Sequence, residues 1–202
     1  MRQRLVRVCA ALVLLALGVV LSGCATSRMI DSEVRSFPGA APALTGVEYR
    51  FERLPSQQEG GPFQDRIEDL AAQALARIGL TRTDGLARYA VQVSVRVDQY
   101  ARNPQRRLQG NDLFVGFGVA PWNAPAVLML EPPWYLHTVQ VLVRDTASGQ
   151  LAYETTAAHD GPWSDTLHLL PAIFEAALRD YPTPPKGPRK VVVEVPPHPQ
   201  DH

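Results

Sequence analysis

Along Tyr89-Ala90-Val91-Gln92-Val93-Ser94-Val95-Arg96-Val97-Asp98 the large apolar side chains fall on odd positions, and Gln92, Ser94, Arg96 and Asp98 fall between them. Successive side chains of a strand point to opposite faces, so the pattern dictates a strand with one buried and one wet face. A sheet covered on both faces would read instead as a continuous apolar run. The sheet is therefore expected to be antiparallel, with its helices gathered on the side of Tyr89, Val91, Val93, Val95 and Val97.

The same period recurs on either side. His137, Val139, Val141 and Val143 lead through Asp145-Thr146-Ala147-Ser148-Gly149 to Leu151, Tyr153 and Thr155, a short glycine-bearing turn between two alternating runs and hence a hairpin. Upstream, Val47, Tyr49 and Phe51 alternate with Glu48, Arg50 and Glu52. Leu113, Val115, Phe117 and Val119 carry the period too, weakened by Gly116 and Gly118.

Two segments switch to the helical period. Phe63, Ile67, Leu70, Ala71, Ala74, Leu75 and Ile78 line one face between Pro62, suited to a first turn, and Gly79, suited to a left-handed stop. Leu167, Leu170, Phe174, Ala177, Leu178 and Tyr181 define a second helix, with Ser164 as its expected cap and Pro171 inside it. The expected fold is α+β: an antiparallel sheet of about four to five strands with two helices on one face, in the order β-α-β-β-β-β-α over residues 47–181. Residues 24–46, rich in Ser, Thr, Pro, Ala and Gly, read as a flexible tether. Residues 182–202 hold seven of the 18 prolines and read as an extended tail, apart from the β-prone run Val191-Val192-Val193-Glu194-Val195.

The N-terminus has a different design. Arg2, Arg4 and Arg7 precede an apolar run from Val8 to Leu21 that is short for a span of ~20 residues. It closes in Leu21-Ser22-Gly23-Cys24, a lipobox, so residues 1–23 read as a lipoprotein signal peptide. Cys24 is the expected lipidation site, because thioether formation with a diacylglyceryl group requires a thiolate. Palmitate-type acylation of the new amino group is expected to follow. Ala25 in place of an aspartate points to the periplasmic face of the outer membrane of a Gram-negative cell.

Composition adds exclusions. Twenty Lys and Arg balance twenty Asp and Glu, so no basic field draws the chain to nucleic acid. Loss of the three signal arginines leaves 17 basic against 20 acidic side chains. Of the two cysteines, Cys9 leaves with the signal and Cys24 is consumed by lipid, so neither a disulfide nor a thiolate metal site is expected.

No pattern specifies catalysis, and no catalytic residue, metal or cofactor is expected. His159 and His168 stand nine apart, unlike the i, i+4 pair of a zinc helix, and His198 and His202, with Asp201 beside them, read as part of a solvated tail; no G-x-S-x-G occurs, and Gly116-Phe117-Gly118 lacks the rest of a phosphate fingerprint. Gly110–Tyr135 is richer in apolar groups than a free loop requires. Phe114, Phe117, Trp122, Trp134 and Tyr135 are its candidate partner contacts, with a lid over the sheet as the competing explanation. The expected role is that of a non-enzymatic lipoprotein held to the membrane by acyl chains, which binds an envelope protein or helps maintain the envelope. The alternatives are an envelope hydrolase and an accessory subunit of an assembly or transport complex.

One resemblance rests on named residues: Tyr49 and Phe51 followed by Leu54-Pro55, the helix end Ala76-Arg77-Ile78-Gly79-Leu80, the valine-rich strand, Asp145 to Gly149 with Leu151-Ala152-Tyr153, and Tyr181-Pro182. In these features residues 47–182 resemble a family of bacterial lipoproteins named domain of unknown function 4136, although Tyr153 stands where members often carry tryptophan. The resemblance implies an α+β fold and an envelope address. It brings no catalytic residues.

Overall fold

Val91, Val93 and Val95 lie opposite Val143, Val141 and Val139 where β4 (Tyr89–Tyr100) pairs antiparallel with β5 (Trp134–Asp145). These valines are the centre of a seven-stranded sheet in a computed structural model that describes residues 28–100 and 133–195. The described residues between Met29 and Val195 belong to one compact unit. The hairpin partner β6 (Leu151–Gly161) continues the ladder, with Val139 opposite Ala157 and Val141 opposite Thr155. At its turn, Asp145 accepts hydrogen bonds from the amides of Ala147 (2.8 Å) and Ser148 (3.0 Å), and Gly149 takes the left-handed conformation, φ +71°.

The other half of the sheet is parallel, which corrects the antiparallel expectation. β2 (Val47–Phe51) is followed by a short helix α1 (Pro55–Gln58), the long helix α2 (Gly61–Arg77) and β3 (Leu80–Arg82). A helical crossover returns the chain to its starting end, so β3 enters parallel to β2, and β4 then pairs parallel to β2 on the other side. The order is β3-β2-β4-β5-β6-β1-β7, seven strands rather than four to five. Three helices lie among the described residues, the third being α3 (Thr166–Leu178).

The additional strands come from both flanks. Residues 28–38, expected to be tether, form β1 (Arg28–Pro38), antiparallel to β6 with Val34 opposite Ala157 and Ser36 opposite Thr155. Ile30, Ser32, Val34 and Ser36 all point into the core. The Ser36 and Thr155 hydroxyls bond at 2.8 Å, and Thr155 donates onward to the Ala177 carbonyl of α3, so an inward serine is hydrogen-bonded rather than wasted. The residues after β1 are fixed as well. Gly39 donates to Ala152 O and packs so closely that a Cβ would stand 1.9 Å from the Leu151 carbonyl oxygen. The Tyr89 hydroxyl accepts from Leu44 N and donates to Pro42 O, while Tyr181 donates to Leu44 O. The expected Pro-rich tail likewise contains β7 (Arg189–Val195), which buries Val191, Val193 and Val195 beside β1 and pairs Arg189 with Asp180.

α2 and α3 pack together on one face of the sheet, as the alternation requires. The inward face of α2 begins at Gln64 and Glu68 rather than Phe63. Glu68 turns both carboxylate oxygens to Arg53 (2.6 and 2.8 Å) and Gln64 donates to Glu68, which leaves Phe63 54% exposed. α3 is capped by Asp165, whose carboxylate accepts from His168 N; Ser164 is not the cap. Pro171 lies inside α3 and withdraws one amide donor without ending it. Val97, expected to be buried, is 41% exposed near the far end of β4. The expected strand at 113–119 lies outside the described residues.

Candidate functional site

Four strand ends meet at one end of the sheet. Tyr100 closes β4 opposite Trp134, which opens β5; Tyr135 faces Gly161, which closes β6; and β1, running antiparallel to β6, begins there at Arg28. Of the candidate contact residues, Trp134 and Tyr135 are thus strand residues of this end, each half-buried, rather than parts of an irregular loop. Phe114, Phe117, Trp122 and Cys24 lie outside the described residues.

The helix-side face of this end carries a row of rings. Tyr135 and His137 have centroids 6.4 Å apart, His137 and His159 stack at 6.4 Å, and His159 stacks on Trp163 at 5.9 Å. Their alternation with buried valines puts both histidines inside, and both are sealed from solvent. His159 is a β6 residue. Its Nδ1 donates to the Asp31 carbonyl at 2.7 Å, and its Nε2 has no partner. His137 contacts the Thr166 hydroxyl through Nε2 at 3.2 Å, and its Nδ1 is unpartnered. Burial and then the charge of His159 lower the His137 pKa below its ordinary 6.5, so the ring favours its neutral form.

The opposite face of the same end is open. Trp134, Leu136, Ala158 and Lys190 line a depression of about 430 Å³ together with Asp31, Glu33 and Asp160. Lys190 donates to Asp31 at 2.7 Å, the Tyr100 hydroxyl bonds Asp160, and Glu33 holds Arg35. The three lining carboxylates still outnumber Lys190 and the Arg35 guanidinium that Glu33 holds, which gives the depression a net negative charge. Such a surface suits a cationic or amphipathic side chain, not a phosphate.

Among the described residues no group of three or more His, Cys, Asp or Glu side chains is placed to hold a metal ion, and no helix is long and apolar enough to cross a membrane. The two histidines alone fall short of the three or four protein ligands of a zinc site.

The profile of the family described as Domain of unknown function (DUF4136) matches residues 43–183. The chain belongs to this family. The match stops short of both β1 and β7, so two adjacent strands that complete the sheet of this DUF4136 protein lie outside the matched span. No curated protein matches the chain. Among solved structures, the PelC dodecamer from Paraburkholderia phytofirmans is 14% identical, covers 73% of this chain and 94% of its own, and has a TM-score of 0.42. A variant of the same dodecamer gives the same identity and coverage at 0.43. A PDZ domain protein from Parabacteroides distasonis is 13% identical over 82% of this chain and 40% of its own, at 0.46. Likenesses of this size carry nothing about ligand, partner or assembly to the DUF4136 chain.

Proposed function

We propose that the chain is a lipoprotein held by acyl chains on Cys24 to the periplasmic face of the outer membrane, and that its domain acts by binding an envelope protein rather than by catalysis. The carrying observation is how little chain separates lipobox from sheet. Only Ala25, Thr26 and Ser27 stand between Cys24 and the first residue of β1, a reach of at most about 14 Å. A lipid on Cys24 would therefore hold the Trp134 end near the bilayer surface, and a partner would meet it there. Its chemistry favours a partner that presents a lysine or arginine to the acidic depression beside Trp134, since complementary charge steers docking and aromatic groups supply contact area at low entropic cost.

Photo-crosslinking in intact cells tests this reading. A photoreactive residue at Glu33 is expected to capture one recurrent envelope protein, and the same residue at Glu59, remote in sequence and outside the depression, is not. Equal capture at both positions, or at neither, would reject the Trp134 end as the docking surface.

A further inference from the structure

Among the described residues the sheet has two edges of unequal kind. β3 closes one with three residues, whereas β7 closes the other with seven, Arg189-Lys190-Val191-Val192-Val193-Glu194-Val195, and contains no proline. Along an edge strand every second residue turns its amide and carbonyl away from the sheet, which makes the strand a template for another. Charged side chains ordinarily discourage such pairing. β7 carries its charges in an order that instead matches a copy of itself.

Val191, Val193 and Val195 are buried on the helix side, so Lys190, Val192 and Glu194 form the row on the open face. Val192, 44% exposed, stands midway between a cation and an anion. When a second β7 is laid antiparallel about Val192, that valine meets its own copy and the Lys190 of each chain falls opposite the Glu194 of the other. Two opposite-charge pairs and one apolar pair then cross the seam, each of a kind that stabilises antiparallel strands. A slip of two residues breaks both charge pairs, and parallel pairing in register sets lysine beside lysine. Glu194 has no ion-pair partner of its own among the described residues, and Lys190 has donors beyond the one that Asp31 takes at 2.7 Å. Arg179 reaches the Val192 carbonyl at 3.4 Å, long for a hydrogen bond, so an incoming amide displaces little.

We propose that β7 pairs antiparallel with β7 of a second copy of this chain, about a two-fold axis at Val192, and so joins two seven-stranded sheets into one. One surface meeting itself closes the assembly at two, whereas β7 against the β3 edge would make an open-ended stack held by three residues per contact. The axis stands perpendicular to the joined sheet, so both Cys24 positions lie at one height along it. Two copies anchored by lipid as proposed above therefore share one bilayer.

The test uses the purified full chain in detergent micelles, oxidised with copper phenanthroline, and the wild type, which keeps Cys24, sets the background. Val192→Cys is expected to give a disulfide-linked dimer. Lys190→Cys or Glu194→Cys alone should not, because like positions stand about 13 Å apart along the seam, beyond the reach of a disulfide. A mixture of the two should link one chain of each. In sedimentation, Glu194→Lys should weaken association at least about tenfold, since it sets two lysines against each other at both ends of the seam. Adding Lys190→Glu to that chain should restore the pair, a rescue that misfolding cannot mimic. No dimer above background with Val192→Cys, equal linking with Lys190→Cys alone, or a charge swap that associates no better than Glu194→Lys overturns the proposal. Val192 and Glu194 do not line the Trp134 depression, so the outcome is independent of capture at Glu33.

Discussion

His137 and His159 stand opposite one another on β5 and β6 with ring centroids 6.4 Å apart, both buried and each with one ring nitrogen unpartnered. Because the folded state holds His137 below its ordinary 6.5, the unfolded chain takes up its proton first as the pH falls. Stability should be full above about pH 6.5, decline as the pH drops from there toward the lowered folded value, and level off below it. Denaturant titrations from pH 8 to 5 should show this slope, and His137→Gln should flatten it. An unchanged slope in the variant would assign the pH response to another group.

Val93 is 2% exposed on the helix side of β4, and Arg96 lies exposed on the other face. Val93→Ala is expected to cost about 1–3 kcal/mol through lost burial and the cavity left behind. Arg96→Ala should fall within error of the wild type in the same denaturant titration. A reversed ranking would mean that the faces have been exchanged.

Ile30 and Gly39 bracket a stretch that would be insensitive to substitution as a flexible tether. As part of the sheet, Ile30→Ala should cost about 2–5 kcal/mol. Gly39→Ala should lower the melting temperature because its Cβ meets the Leu151 carbonyl, backbone that cannot swing aside. Melting curves indistinguishable from wild type for both variants would return residues 28–46 to the status of a linker.

What the sequence showed and what it hid follow from the same physics. β4, the β5–β6 hairpin and α2 were legible because each carries several turns or alternations of one period. β1 is hidden because Ser32 and Ser36 occupy inward positions, where the strand period calls for apolar residues; Ser36 is satisfied only by Thr155, which sequence does not bring near, and the buried Ser32 hydroxyl has no partner. β3 has three residues, too few to show any period, and without it the parallel crossover could not be read. With residues 28–38 read as tether, Val191 to Val195 have no strand to join. Within the candidate site, Trp134 and Tyr135 were found by their aromatic payload. The stacking of His137, His159 and Trp163 depends on a cross-strand register and on the bend at Pro162, which no spacing announces.

Lipid attachment at Cys24 is the claim on which the proposed function rests. Metabolic labelling with a radiolabelled fatty acid, followed by membrane fractionation of wild type and Cys24→Ser, tests it most directly. The expected result is a labelled, membrane-bound wild type and an unlabelled variant that leaves the membrane pellet with its melting temperature unchanged, since Cys24 precedes the sheet. A Cys24→Ser protein that keeps both its label and its place in the membrane would contradict it.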